Sequence, residues 1–458
     1  LKPTTGTHVY QLPKCSRAVA LELAGDRSLR RELRPEEELV LGRGRDHEAD
    51  FVQDLGWEEP AYPARDFAAG AEATRAMLEA GAPGVLQAVL LGPDQLGIAD
   101  LLRKEPGASA LGDHHYVVGD VKSSARVRGD QILQVAFYSE MLTALQGRAP
   151  EYGYLVLKDG REERFALEPF RPALRDVLGR IDRLRTEPHG VRPFLSRACD
   201  GCRWSPVCLP ELESSGDLSL VDGMTEGLRT MLEGAGVATC AALADAEAAR
   251  LARRTRIENA LLRRLIHAAR ARLAGAPVRL RRSVPSTEEQ PAFVHVLDDP
   301  FEGRVLWMGI GTEDESGAFR VHAARPQDRD QEWDCFRALL VEIPEERPLF
   351  HFGPAVPRFC EERAFATGNG PWLDARLIDL ARRVRSTASW AAPVFGKAEL
   401  VTQALGRDPH RAGRAGAAPL FAADPDGAAW LDAKGASDLE DLRDLHAFWV
   451  DPKGEEVG

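Results

Sequence analysis

The chain has 458 residues, a formal net charge of −12, and 44 % hydrophobic against 28 % charged residues. That balance is ordinary for a globular protein with room for two or three cores. No run of eighteen apolar residues occurs and the opening stretch LKPTTGTHVYQLPKC has no apolar segment, so neither a membrane span nor a signal peptide is expected, and a reducing, cytoplasmic setting is the default.

In chain order, GRGRDHEADF (42–51) reads as an early helix carrying His47 and Glu48. In LGIADLL (96–102), Asp100 follows Gly97-Ile98-Ala99. YVVGDVKSS (116–124) reads as a buried strand ending in polar residues, and DQILQVAFYSEMLTAL (130–145) as a strongly amphipathic helix. EYGYLVLKDGREERFAL (151–167) has the pattern of a hairpin turning at Lys158-Asp159-Gly160, and SSGDLSL (214–220) the composition of a linker. Residues 216–285 read as all-helical, with a break at Gly234-Ala235-Gly236-Val237. Strands return near residue 286 in AFVHVLDD and GRVLWMGIGTEDESGAFRVHAA, and helices follow in DQEWDCFRALLVEI and ASDLEDLRDLHAFWV. GRDPHRAGRAGAAPLFAADPDGAAW (406–430) reads as an irregular loop. With no internal repeat and no GxxxxGK[ST] loop, no ATP-driven motor is expected.

Three groups of residues carry chemistry. Asp120 and Lys122 lie two apart on one strand, so both project to one face. Two carboxylates can hold Mg²⁺ or Mn²⁺ against a phosphate oxygen while a lysine steers or deprotonates the attacking water. Alone, Asp-x-Lys is as well explained by a surface ion pair. His47 or Glu48 is a suitable third ligand, and Gln134 and Tyr138, four apart, share a helical face. The second group is cysteine: ACDGCRWSPVC (198–208) packs Cys199, Cys202 and Cys208 into a chain with seven. In a reducing compartment this reads as a metal site, with zinc and iron–sulfur equally open on spacing alone. Cys240, Cys335 and Cys360 read as buried thiols. The third group is arginine: from Arg250 to Arg282 there are eleven, against the single acid Glu258. A nucleic-acid-binding face through Arg253, Arg254, Arg263 and Arg264 is one reading, a solvated helix the other. Directly upstream, a helix–hairpin–helix-like turn through Gly234 and Gly236 is expected to expose backbone N–H groups to a phosphate.

A helical His, then Gly-x-x-Asp (Gly97 to Asp100), Asp-x-Lys (Asp120 to Lys122) and Gln-x-x-x-Tyr (Gln134 to Tyr138): in this order the chain resembles the RecB-like branch of the PD-(D/E)xK nuclease superfamily. The resemblance implies a restriction-endonuclease-like α/β N-terminal domain. In it His47, Asp100 and Asp120 would bind Mg or Mn with the main-chain carbonyl of Val121, Lys122 would act on the water, and Gln134 and Tyr138 would position DNA and the lysine. Members of this branch close the domain with one upstream and three downstream cysteines around a [4Fe–4S] cluster. Cys15, Cys199, Cys202 and Cys208 fit that arrangement, with Trp204 as cover and Zn as the alternative occupant.

The layout also resembles RecB-like nucleases carrying a C-terminal ribonuclease-H-like region. There the first strand normally bears Asp-x-Glu; here His295 and Leu297 take those positions, Asp298 and Asp299 follow, and Asp379, Glu440 and Asp441 are retained. The expected organisation is therefore a nuclease domain over 1–215, a helical Arg-rich DNA-binding region over 216–285 and a degenerate, non-catalytic α/β ribonuclease-H-like domain over 286–458. The expected function is metal-dependent hydrolysis of DNA phosphodiester bonds, single strands or ends favoured, in repair, recombination or defence, with a helicase or another repair or defence protein as a possible partner and no membrane. The alternative is a non-catalytic iron–sulfur DNA-binding adaptor for a partner enzyme. RNA as substrate stays open, because contacts to a 2′-OH are not legible in one sequence.

Overall fold

Thr5 ends a two-residue strand, β1 (Thr4–Thr5), and its side chain accepts the His8 N–H to start helix α1 (Gly6–Gln11). This computed structural model describes residues 2–124, 126–280, 290–299, 303–367, 376–407 and 427–450, and its contacts divide it into two units, Leu1–Leu209 and Pro210–Gly458.

In the first unit, α2 (Ser16–Ala24) opens on Cys15, whose sulfur accepts the Ala18 N–H. Helix α3 (Pro35–Gln53) starts with proline where its missing N–H costs nothing, and α4 (Phe67–Glu79) is capped by Asp66. Strands β2 (Gly84–Leu91), β3 (Gln95–Ser109) and β4 (Gly112–Val121) form an antiparallel meander. Helix α5 (Gly129–Gln146) then crosses to β5 (Tyr152–Val156), parallel to β4, and β6 (Glu162–Ala166) closes a hairpin on β5. β1 lies parallel to the start of β3. The hairpin is the one expected, with Gly160 at φ 76° in its turn. Helices α6 (Arg171–Thr186) and α7 (Ser205–Ser215) follow.

β4 is buried from His114 to Val121, as a strand covered on both faces requires. Val9, Val19, Tyr138 and Leu142 pack in the core on one face; Leu86, Leu101, Val117 and Tyr154 form the other, with Phe51 and Val52 of α3 and Leu55 just after it against them. Helix α5 departs from expectation. Its buried residues run almost all round, from Gln131 and Ile132 through Phe137 and Ser139 to Gln146, because it lies between the sheet on one side and α1 and α6 on the other. Its amphipathic stripe is therefore lost to enclosure.

The second unit begins with four helices, α8 (Glu226–Gly234), α9 (Cys240–Ala244), α10 (Ala248–Thr255) and α11 (Asn259–Ala274). Next come β7 (Val278–Arg279), β8 (Ala292–Asp298), β9 (Val305–Glu313), β10 (Phe319–Ala324) and α12 (Arg329–Leu340). The remaining elements are β11 (Leu349–His351), α13 (Ala355–Thr367), β12 (Leu377–Asp379), α14 (Leu380–Arg385), β13 (Ala388–Ser389), α15 (Lys397–Leu405) and α16 (Gly427–Val450). The sheet order is β10-β9-β8-β11-β12; β9 is antiparallel to both neighbours, while β8, β11 and β12 run parallel. α12 and α13 pack on one face, α14 to α16 on the other. The helical region is tied to the rest of the unit by a separate two-stranded β7–β13 sheet and through Asp222, which accepts the Val394 N–H at 3.0 Å.

Two loop expectations change. SSGDLSL is no linker: Leu218, Ser219, Leu220 and Val221 are buried, and Asp217 pairs with Arg229 at 3.3 Å, since its apolar residues find cover in the second unit. Of 406–430, residues 427–430 belong to α16, and 408–426 lie outside the described residues. Both units are thus mixed α/β, and among the described residues no helix is long and apolar enough to cross a membrane.

Candidate active site

β2 reads GVLQAVLL, and its one polar residue marks an irregularity. Leu86 pairs with Leu101 and Ala88 with Ala99, yet the first pair belongs to the core on one face and the second to the core on the other. Residues two apart on a regular strand share a face, so the two strands kink between these pairs, at Gln87 and Asp100. Gln87 sits there at φ 47°, a left-handed conformation that costs a non-glycine residue about 1–3 kcal/mol. The kink serves the side chains: Gln87 Nε2 donates to Glu48 Oε1 of α3 at 2.5 Å, and the Asp100 carboxylate accepts the Val121 N–H of β4 at 3.3 Å.

Asp120, beside Val121, is 1 % exposed. Lys122 Nζ stands 2.7 Å from its Oδ2, yet neither carboxylate oxygen receives a well-directed hydrogen bond. Burial, then the Asp120 charge and Glu48, push the Asp100 carboxyl well above its usual range, with Lys122 opposing. Glu48 is raised in the same way, by burial and then Asp120. Lys122 goes the other way. Burial works against its charge, but Asp120 and Asp100 outweigh that and raise it, so the ammonium persists.

Gln134 Nε2 donates to the Tyr138 hydroxyl at 3.2 Å. Burial raises the Tyr138 phenol, and Asp120 and Asp100 add to the rise, which places the hydroxyl within electrostatic reach of both aspartates. The ring explains two glycines: a Cβ on Gly6 would lie 2.2 Å from the Tyr138 hydroxyl, and one on Gly97 would lie 2.9 Å from its Cδ1. The structure thus brings together Asp100, Asp120, Lys122, Gln134 and Tyr138. Glu48 joins them through Gln87. No hydrogen bond or ion pair ties His47 to the set among the described residues, although its buried Nε2 has no hydrogen-bond partner. Gln87 and Glu48 were legible only as the polar exception in an apolar strand and the neighbour of the expected His.

Among the described residues, no three His, Cys, Asp or Glu side chains are assembled at metal-binding distances. The donor chemistry nevertheless fits a hard divalent cation: Asp120 is buried with one ammonium beside it, and the neighbouring Asp100 and Glu48 carboxyls are raised by burial and by its charge.

The four cysteines converge. Cys15 at the start of α2, Cys199 and Cys202 before α7, and Cys208 within it line one small cavity with Phe194 and Trp204. All are free thiols. Burial raises the Cys15, Cys202 and Cys208 thiols, Cys208 to about 11. Four sulfurs lining one cavity are the donor type of either a [4Fe–4S] cluster or zinc, although no three of them stand at metal-binding distances. Trp204 is buried there, its indole N–H on Glu22 at 2.9 Å, while Arg31 and Arg203 exchange backbone and side-chain bonds that fasten this segment ahead of α3.

On α10 and α11, Arg253, Arg254, Arg263 and Arg264 are exposed. None makes a hydrogen bond or ion pair among the described residues, though Arg264 acts electrostatically on Asp222. The turn before it differs from expectation. The Ala235, Gly236 and Val237 N–H groups donate to carbonyls of α8, from 2.8 to 3.2 Å, with Gly236 at φ 83°. Gly234 and Gly236 therefore terminate a helix, and the turn does not present the free amides expected of it.

In the second unit, His295 Nε2 lies 3.1 Å from Asp438 Oδ2 of α16, and Leu297 is in the core. Asp438 also receives Lys434 and Lys397, both at 2.5 Å. Arg407 holds Asp441 at 2.7 Å, Arg358 pairs with Asp298, and Asp379 caps α14. Asp298, Asp379 and Asp441 are thus engaged in ion pairs and a cap, while Glu440 is exposed.

No protein-family model matches the chain, and no curated protein matches it.

Proposed function

We propose that the first unit is a metal-dependent nuclease of the RecB-like PD-(D/E)xK kind, hydrolysing phosphodiester bonds in DNA. The single observation that carries this is Asp120: a buried carboxylate with an ammonium at 2.7 Å and a second aspartate on the adjoining strand. A helix, an antiparallel meander, a second helix and a parallel strand supply the frame. Asp100, Asp120 and either Glu48 or His47 would hold Mg²⁺ or Mn²⁺, which when bound supplies Lewis-acid polarisation of the phosphate and a more acidic water. Lys122, kept charged by the aspartates, stabilises negative charge building on the phosphate and orients the attacking water. Tyr138 and Gln134 hold the lysine side of the site in place. The cysteine cavity suits a [4Fe–4S] cluster closing the domain, and the exposed Arg253, Arg254, Arg263 and Arg264 suit backbone phosphates of the substrate. The strand order of the second unit and its paired acids favour a ribonuclease-H-like fold without catalysis.

The test is cleavage of end-labelled single- and double-stranded DNA and RNA by anaerobically purified protein, with Mg²⁺ or Mn²⁺. Lys122→Ala is expected to lower cleavage about 10²- to 10³-fold, the cost of removing one charge-stabilising donor, while DNA binding remains. Binding without metal-dependent cleavage on every substrate overturns the enzyme and leaves the adaptor.

A further inference from the structure

The loop leaving Lys122 is tied down by one buried amide. Gln131, 2 % exposed, accepts the Arg128 N–H on Oε1 at 3.0 Å and donates from Nε2 to Ser124 Oγ at 3.0 Å. Arg128 is thereby fixed at the start of α5, six residues on from Lys122. From α1, Tyr10 reaches it: Arg128 Nη2 donates to the Tyr10 hydroxyl at 2.5 Å. Lys14 Nζ stands 3.1 Å above the Tyr10 ring and 3.0 Å from Asp130 Oδ2. The same helix sets Gly6, one turn before Tyr10, against the Tyr138 hydroxyl, so this cluster adjoins the candidate catalytic residues.

Structural pairing does not use up the cluster. Two cations face the single acid Asp130. Arg128 spends Nε and Nη2 on Asp130 and Tyr10, and its Nη1 makes no hydrogen bond among the described residues. The Arg128 and Lys14 side chains are 50 % and 37 % exposed. A guanidinium locked on one edge and open on the other, with an ammonium beside it, is a rigid receptor for a tetrahedral oxyanion. We infer that Tyr10, Lys14 and Arg128 form a phosphate subsite next to the carboxylates, holding a phosphate of the nucleic-acid strand that flanks the scissile bond. Arg128 and Lys14 contact the phosphate; Tyr10 is a positioning residue that aims Arg128. The inference rests on the nuclease reading and adds to it the residues that set the strand in register.

The test uses the full chain with Ca²⁺ in place of Mg²⁺ and short labelled single-stranded oligodeoxynucleotides, with or without a 5′-phosphate, titrated across a salt series. Arg128→Gln and Lys14→Gln are each expected to weaken binding roughly 5- to 10-fold and to lower the slope of log K against log salt by about 1, the signature of one lost phosphate contact. Tyr10→Phe should weaken binding less, and with Mg²⁺ all three should raise KM by more than they lower kcat. A 5′-phosphate preference lost in Arg128→Gln identifies the ligand as a terminal phosphate; equal binding of both oligonucleotides in wild type identifies an internal phosphodiester. Arg128→Gln that melts like wild type and binds with unchanged affinity and slope overturns the subsite and leaves the nuclease reading standing. Wild type that binds no oligonucleotide overturns both.

Discussion

The two units each bury aspartate between a sheet and a helix, and they balance that charge in opposite ways. In the first, Asp100, Asp120 and Glu48 share one ammonium, Lys122, and two of the acids are raised by burial and by one another. In the second, Asp438 has Lys397, Lys434 and His295 around it; burial works against its charge, but Lys397, His295 and Lys434 outweigh that and hold it well below the usual carboxylate range. The first site lacks positive charge and the second supplies its own. A buried acid surplus is costly unless an added cation offsets it, so the first site points to a ligand and the second to a self-contained ion cluster.

The largest difference should appear on breaking the second cluster. Asp438→Asn leaves the buried Lys434 ammonium without its carboxylate and Lys397 with only Asp441 at 3.8 Å, and is expected to destabilise the second unit by about 3–5 kcal/mol. The sign with pH follows from the lowered Asp438 value. Its stabilisation is fully present above the unfolded carboxyl value of about 4 and is lost as pH falls through the folded value, so the difference from wild type should shrink in acid. Calorimetric melting from neutral pH down to about 3 checks this, and a loss under about 0.5 kcal/mol, the range of neutral surface changes, contradicts the cluster's role.

Next in size is the choice of third ligand. If Glu48 completes the site, Glu48→Ala should weaken Mn²⁺ binding about 10- to 100-fold, or about 1.4–2.7 kcal/mol, and His47→Ala should do much less; the reverse order assigns the role to His47. Gln87→Ala, which removes the donor to Glu48, should follow Glu48→Ala at smaller amplitude. Smallest is a gain. Asp100→Asn removes one of the crowded acids and should stabilise metal-free protein by about 1 kcal/mol, raising the melting temperature of a unit this size by roughly 2–4 °C, while abolishing the further stabilisation that Mn²⁺ gives wild type. A lower melting temperature for metal-free Asp100→Asn contradicts the crowding.

Much of the first site was legible because its residues carry their chemistry at fixed spacing. Asp120 and Lys122 follow from strand period, Gln134 and Tyr138 from helix period, and both geometries hold. What was not legible came from enclosure and backbone detail. The α5 pattern looks amphipathic until α1 and α6 cover its second side. Apolar residues in a short polar stretch made SSGDLSL resemble a linker, although tertiary cover buries it. The Gly234–Val237 break was correctly a turn, but where its amides point depends on how α8 ends. The kink at Gln87 arises from two strands together, and only a lone glutamine among apolar residues hints at it. In the second unit His295 gave no sign of its partners, because Asp438, Lys434 and Lys397 lie more than a hundred residues downstream.

The most direct measurement is Mn²⁺ binding by the full chain, wild type against Asp120→Asn, by calorimetric titration at neutral pH with the cysteine site kept loaded. Saturable binding in wild type that disappears in Asp120→Asn is the predicted result. Binding unchanged by the substitution, or no binding in wild type, would contradict a cation-dependent site in the first unit.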